Sequence, residues 1–265
     1  MKEELLRKLQ TKIMGRSVYY FQCTDSTNVQ AKLLAEQGAV HGSVVVAEAQ
    51  TAGRGRHGRV WDSPAGKNLY FTLLMRPEFA PDKASMLTLV MALAVLKGME
   101  KAIGKPGEIG IKWPNDLIIN GKKICGILTE MTLAHSSIES VIIGVGINLE
   151  KQEFAPELAD KATSIEAEWG IAPCKEKLLT EIVSAFEEYY ETFIQTCDLR
   201  ELQEEYNVCL VNCGREVCVL DPKGEFRGIA RGINSVGELL VELADGVITP
   251  IYAGEVSVRG IYGYV

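Results

Sequence analysis

The sequence has no apolar run long enough to cross a bilayer. The longest uncharged one, Ala84 to Leu96, is closed off by Lys83 and Lys97. It falls short of the roughly 18 to 20 residues that a spanning helix needs. Basic charge is also short, with 28 Lys and Arg against 35 Asp and Glu, a formal charge of −7. A duplex-binding surface is not expected on such a chain. There are only three histidines, His41, His57 and His135. None stands in a nucleophile elbow or an HExxH helix, which disfavours a serine or zinc hydrolase. The seven cysteines lack paired CxxC spacing. Cys209, Cys213 and Cys218 cluster, but no histidine is near, and tetrahedral zinc needs four ligands. Reduced, buried thiols of a cytoplasmic protein fit that pattern better. The polar start, Met1 to Leu6, has no apolar signal core. Apolar residues make up 47% of the chain, too many for a disordered one.

What is present divides in two. Residues 2–14 read as a helix. Asp25, Ser26 and Thr27 cap a second helix that stops at Gly38. Ser43 to Gln50 is a strand built on Val44, Val45 and Val46, and Asn68 to Met75 is another. Residues 82–103 are helical, ending at Gly104. Residues 109–149 hold three strand segments, and 174–207 form a helix with an apolar stripe from Leu178 to Phe193. From Asn212 onward the chain changes to short strands cut by glycines, with turns at Asp221-Pro222-Lys223-Gly224 and Asp245-Gly246. The expected organisation is an α+β domain over residues 1–211, its mixed sheet packed with helices, and a small β-barrel over 212–265.

The strongest local signal is Gln50-Thr51-Ala52-Gly53-Arg54-Gly55-Arg56-His57-Gly58-Arg59. Glycines let the backbone approach a ligand, and arginine forks match phosphate or carboxylate oxygens. A small anionic ligand is the leading reading; a solvated loop and an RGG-like nucleic-acid segment are the others. No Lys-Ser/Thr ending makes it a Walker A loop. A second signal is Lys112-Trp113-Pro114-Asn115-Asp116, followed by the hairpin turn Asn120-Gly121 and Lys122-Lys123. That turn pairs Ile118 with Lys123. Adjacent strand residues face opposite ways, so only one of the two lysines faces a given site, and the pattern does not choose. Asp116 fits either a magnesium ligand or a structural turn residue. A third signal is Gly144-Val145-Gly146-Ile147-Asn148, a nucleotide-reading strand end or an ordinary bulge. Ser26-Thr27-Asn28 is a fourth, a polar pocket end or only a helix cap.

Together, and in this order, these segments resemble the catalytic domain of biotin protein ligases. The resemblance is carried by Asp25 to Asn28, Gln50 to Arg59 with Trp61, Asn68-Leu69-Tyr70, Lys112 to Asp116, Lys123 to Leu128, and Gly144 to Asn148. It covers roughly residues 20–265. It implies a fold like class II aminoacyl-tRNA synthetases and an SH3-like C-terminal barrel. It implies ATP and Mg²⁺ as cofactors, and activation of biotin as biotinyl-5′-AMP. It places Ser26, Thr27, Asn28, Gln50 and Gly53 at the biotin end, with Gly126 allowing close backbone approach. Arg54, Gly55 and Arg56 belong to the loop over the adenylate phosphate, and Lys123 rather than Lys122 faces the reacting carboxylate. Arg59, Trp61, Lys112, Asn115 and Asn148 fall to the nucleotide, and Asp116 to magnesium. A second loop within 149–165 is expected to order over the intermediate.

The implied acceptor is a lysine of a biotin carboxyl carrier protein, and a homodimer is expected. Only about twenty residues precede the Ser26 motif, against the roughly sixty of the winged helix-turn-helix that regulatory members of the family carry. The monofunctional form, without DNA or membrane contact, is therefore expected. A lipoate or other acyl-acid ligase and a non-catalytic binding module are the alternatives.

Overall fold

A computed structural model of the chain describes residues 9–221, 224–253 and 257–260. Two sheets organise it. The first has seven strands in the order β1-β2-β3-β7-β6-β5-β4. These are β1 (Val18–Phe21), β2 (Ser43–Ala47), β3 (Asn68–Met75), β4 (Gly110–Lys112), β5 (Asp116–Ile119), β6 (Lys122–Ala134) and β7 (Ser137–Asn148). β1 runs parallel to β2, and the other neighbours are antiparallel. The mixed sheet is the one expected. Its 109–149 stretch holds four strands, not three, because Pro114 separates β4 from β5.

Side-chain parity explains what each face of the sheet does. In β3, Leu69, Phe71, Leu73 and Met75 enter the main apolar core; in β7, Val141, Ile143, Val145 and Ile147 do the same. That face is covered by α2 (Leu87–Ile103) and α4 (Lys175–Thr196), whose Leu93, Leu179, Ile182 and Phe186 share the core. The opposite face starts apolar, with Leu74 and Ile142 packed against Val45 and against Ala31 and Ala35 of α1 (Thr27–Glu36). It then turns polar. Across β3 and β7 the next matched pairs are Thr72 with Gly144, Tyr70 with Gly146, and Asn68 with Asn148. A helix cannot bury its apolar stripe on such a surface; Thr72, Tyr70, Asn68 and Asn148 are buried there under other segments, as in the bond from Tyr70 Oη to Pro64 O at 3.2 Å.

Three expectations change. The helix at 2–14 is absent from its described part, residues 9–14; the rest, 2–8, lies outside the described residues. The backbone N–H groups of Lys12, Ile13 and Met14 all donate to the Glu187 carboxylate, at 2.7, 2.7 and 2.9 Å. Groups tied to α4 in this way cannot form i→i−4 helical bonds. The helix at 174–207 is two: α4, and α5 (Gln203–Cys209). Cys197 takes φ 54° and Leu199 N–H bonds Ser235 O, which turns the chain out of α4. The helix at 82–103 opens as a 3-10 turn over Pro81–Met86, and its end at Gly104, φ 81°, is as expected. A short helix unmarked by the sequence pattern, α3 (Ile165–Trp169), follows β7.

The second sheet holds β8 (Glu216–Leu220), β9 (Phe226–Ile233), β10 (Leu239–Glu242), β11 (Ile248–Ile251) and β12 (Ser257–Gly260), in the order β11-β10-β9-β8-β12. All its ladders are antiparallel. No described ladder joins β11 to β12 to close it. In the turn expected at 221–224, Pro222 and Lys223 lie outside the described residues. The two sheets share one apolar core. Trp113, 2% exposed, joins them: its Nε1 donates to Gly237 O at 3.0 Å and its backbone N to Asn212 Oδ1 at 3.1 Å. Among the described residues no helix is long and apolar enough to cross a membrane.

Candidate functional site

The glycine-bearing part of the first sheet, at Gly126, Gly144 and Gly146, is the floor of a cleft of about 460 Å³, part of it open to solvent. Ser26, Thr27, Asn28, Gln50, Arg54, Gly55, Arg56, Trp61, Asn115, Lys123 and Gly126 line it, with Gly144 and Gly146. The separate sequence signals therefore converge on one place.

At one end the N-terminus of α1 supplies a polar wall. Ser26 stands at the N-cap position, yet its hydroxyl makes no capping bond; it lines the cleft instead. Gln50 Oε1 accepts from Thr27 N and Oγ1 at 2.9 and 3.1 Å, and Gln50 Nε2 donates to Ser63 Oγ at 2.9 Å. The buried Thr72 hydroxyl lies 2.8 Å from Thr27 Oγ1 and 2.7 Å from Asn28 Oδ1. Asn28 Nδ2 donates to Glu130 Oε2 at 2.8 Å and Leu128 O at 3.3 Å. Lys32 pairs with the same carboxylate at 2.5 Å. Burial pushes the Glu130 carboxyl up. The bonds from Lys32 and Asn28, with the Lys32 charge, outweigh that and hold it below 4.5. Thr72 and Glu130 were not singled out in the sequence. A lone threonine inside the apolar run of β3 was the available signal.

The middle of the floor is made of glycine. Gly144 and Gly146 sit in a regular ladder, matched to Leu128 and Gly126 across β6, so no bulge is present. Lacking side chains, they let other groups lie on the backbone. A Cβ on Gly144 would overlap Asn28 Oδ1, and one on Gly146 would come within 2.6 Å of the Trp61 indole. Among the described residues Trp61 Nε1 is buried there without a hydrogen-bond partner. Such a donor is expected to meet a ligand acceptor.

The other end is cationic. The arginine loop folds on itself: Trp61 N donates to Gly53 O at 2.9 Å and Gly55 N to Arg59 O at 2.7 Å. Gly53 is buried under this fold, where a Cβ would stand 2.6 Å from Ser63 Oγ. Arg56 reaches Asn115 Oδ1 at 3.1 Å and, in the turn after β11, Ala253 O at 2.5 Å. Burial lowers the Arg56 guanidinium from its ordinary value, opposed by the charge of Asp116. A desolvated cation of this kind favours an anionic partner. Of the two lysines, Lys123 is the one in the cleft. Its Nζ is 2.5 Å from Asp116 Oδ1 and 5.2 Å from the Trp61 ring centroid.

Several named residues stand around the cleft and not in its wall. Lys112 is 6% exposed and matched to Asp116 across the β4–β5 ladder. Arg59 is exposed. Asn148 is buried, with Nδ2 donating to Thr163 O at 3.0 Å. Among the described residues no group of three or more His, Cys, Asp or Glu side chains could hold a metal. A single carboxylate, Asp116, therefore fits a magnesium ion only if phosphate oxygens and water complete its shell.

Comparison with known proteins agrees with this geometry. Residues 20–148 match the Biotin/lipoate A/B protein ligase family, and residues 213–259 match the Biotin protein ligase C terminal domain. The bifunctional ligase/repressor BirA of Bacillus subtilis is 38% identical over 253 residues, 94% of this chain and 76% of that protein. The biotin–[acetyl-CoA-carboxylase] ligase of Paracoccus denitrificans is 34% identical over 82% of this chain and 91% of its own. The biotin protein ligase of Aquifex aeolicus, solved with biotin and ATP, superposes with a TM-score of 0.79 at 29% identity, over 92% of this chain and 99% of that one. With both sheets matched and the relatives aligned over nearly the whole length, the chain belongs to the biotin protein ligase family.

Proposed function

We propose that this protein activates biotin with ATP and transfers it to a lysine of a carrier protein. The observation that carries the reading is one cleft with a hydrogen-bonding wall at one end, Ser26 to Asn28 with Gln50, and Arg54, Arg56 and Lys123 at the other. The polar end suits the ureido ring of biotin, whose N–H and C=O groups need fixed partners. The glycine floor at Gly126, Gly144 and Gly146 admits the bicyclic rings and valeryl chain.

A carboxylate is a poor electrophile and must be activated before an amine attacks it. In the first step the biotin carboxylate oxygen attacks the α-phosphorus of ATP and pyrophosphate leaves, giving biotinyl-5′-AMP. Charge gathers on the α-phosphate oxygens, and Arg54, Arg56 and Lys123 stabilise it where it develops. Trp61, Arg59, Lys112, Asn115 and Asn148 serve the nucleotide. Magnesium would arrive with ATP, offset triphosphate charge, and take Asp116 as its protein ligand. In the second step a neutral lysine amine of the carrier attacks the mixed anhydride and expels AMP. Acyl adenylates hydrolyse, so the arginine loop closes over the intermediate and keeps water out.

The same reading takes residues 1–211 as the catalytic domain and 212–265 as an SH3-like barrel, cytoplasmic location, a homodimer, and a biotin carboxyl carrier protein as acceptor. Its division into two parts is supported by the family matches to residues 20–148 and 213–259. The test is transfer: purified protein, ATP, magnesium and biotin are incubated with a carrier domain, and the carrier is weighed by mass spectrometry. One biotinyl group on one lysine supports the reading; an unmodified carrier with accumulated adenylate restricts it to the first step.

A further inference from the structure

Lys123 and Asn148 stand on different strands, β6 and β7, and the chain between β7 and α3 touches both. Lys123 N–H donates to Lys161 O at 2.8 Å, and Thr163 N–H donates to Lys123 O at 2.9 Å. Lys123 and Ala162 thereby form an isolated parallel bridge. One residue on, Thr163 O accepts from Asn148 Nδ2 at 3.0 Å. Residues 161–163 therefore form a strap across the backs of both residues.

What fastens the strap is a carboxylate on α3. Glu168 Oε1 accepts from the buried Thr163 hydroxyl at 2.6 Å, and Glu168 Oε2 accepts from Asn120 Nδ2 at 2.7 Å. Asn120 is the first turn residue between β5 and β6, in the left-handed region at φ 49°. One carboxylate thus ties the strap to the hairpin that carries Lys123. Without it, the strap keeps its backbone bonds and its bond to Asn148. Neither Glu168 nor Thr163 is among the residues that line the cleft.

We propose that Glu168 is a positioning residue that, through Thr163, sets Lys123 and Asn148 for the nucleotide half of the reaction. The proposal rests on the reading of the cleft as an adenylating site. It separates the two ends of the cleft, because the strap contacts the cationic end and makes no bond to Asn28, Gln50 or Thr72.

The test compares Glu168→Ala with Glu168→Gln, whose amide still has one acceptor for Thr163 and is close in size. The first readout needs no activity: amide hydrogen exchange of the ligand-free protein. In Glu168→Ala the Lys123 and Thr163 amides exchange faster, while those around Asn28 are unchanged. The second is kinetic. Single-turnover adenylation slows by about tenfold in Glu168→Ala, the scale of a small misplacement of a reacting group. The KM for ATP rises, the biotin Kd is unchanged, and Glu168→Gln recovers most of the rate. Unchanged Lys123 and Thr163 exchange in Glu168→Ala overturns the fastening role, whatever the activity. Equal losses of biotin and ATP affinity, with no recovery in Glu168→Gln, overturn the positioning role and leave general loosening. Wild-type protein that forms no adenylate defeats the reading of the cleft instead, and the exchange result still decides the strap.

Discussion

Replacing Gly144 by alanine puts one methyl group where the account leaves no room. Gly144 lies inside a ladder between β3 and β6, so its backbone cannot move alone. The new Cβ would overlap Asn28 Oδ1 and stand 2.8 Å from Asn28 Cγ. Asn28 is itself held by Glu130, Leu128 and Thr72. Overpacking of this kind costs about 1–3 kcal/mol. The lower chain entropy of alanine in the unfolded state returns about 0.4–1 kcal/mol. The net loss is therefore about 1–2 kcal/mol, or roughly 3–6 °C in Tm for a chain of this size. Because Asn28 is displaced from the polar wall, biotin binding weakens by about tenfold, equal to about 1.4 kcal/mol. Thermal unfolding without ligand and calorimetric titration with biotin measure the two effects. Gly146→Ala provides the contrast. Its Cβ meets the Trp61 ring, which is carried on a loop and can withdraw, so Tm stays near wild type. A Gly144→Ala protein with wild-type Tm and wild-type biotin affinity would refute the packing of Asn28 on this strand.

Three further outcomes follow from the same geometry. Lys123→Ala slows single-turnover adenylation by about a hundredfold, the usual scale for a lost transition-state contact; near-normal rates remove Lys123 from the chemistry. Arg56→Ala, which loses the bonds to Asn115 and Ala253, releases biotinyl-5′-AMP into solution, seen as free adenylate in a filtrate; full retention of the intermediate contradicts the closing role of the loop. Burial pushes the Glu187 and Glu130 carboxyls up, but their hydrogen bonds prevail and hold both below 4.5 in the folded protein. Their stabilisation is therefore present at neutral pH and lost as pH falls through those folded-state values. Urea midpoints measured from about pH 6 down to about pH 3 show that loss, and Glu187→Gln, less stable at neutral pH, shows a shallower one.

The sequence made the cleft legible because its residues come in compact runs. Gly53 to Arg59 has a composition that a packed strand or helix would not tolerate, and Asn120-Gly121 fixes the hairpin, pairing Ile118 with Lys123 as expected. The choice between Lys122 and Lys123 was beyond the local pattern, since both faces of β6 carry apolar neighbours. Only the rest of the sheet decides which face is open. The role of Gly144 and Gly146 was hidden for a related reason. Two glycines at strand spacing suggest a bulge, and their close contacts come from Asn28 and Trp61, which are far away in the chain. Glu187 shows the same limit for the fold. Nothing near Lys12 announces that a carboxylate 175 residues away takes its backbone N–H, so local helical spacing misleads there. Thr163 and Glu168 lie in a polar stretch without periodicity, and only the folded chain brings them beside Lys123.

The central claim is that this cleft joins biotin to ATP. Pyrophosphate–ATP exchange, run with magnesium and with biotin, with lipoate or with no acid, tests it most directly, because exchange requires reversible formation of the acyl adenylate. The account predicts exchange with biotin, and none with lipoate or without acid. Exchange with lipoate alone, or none with either acid in protein shown to be folded, would contradict it.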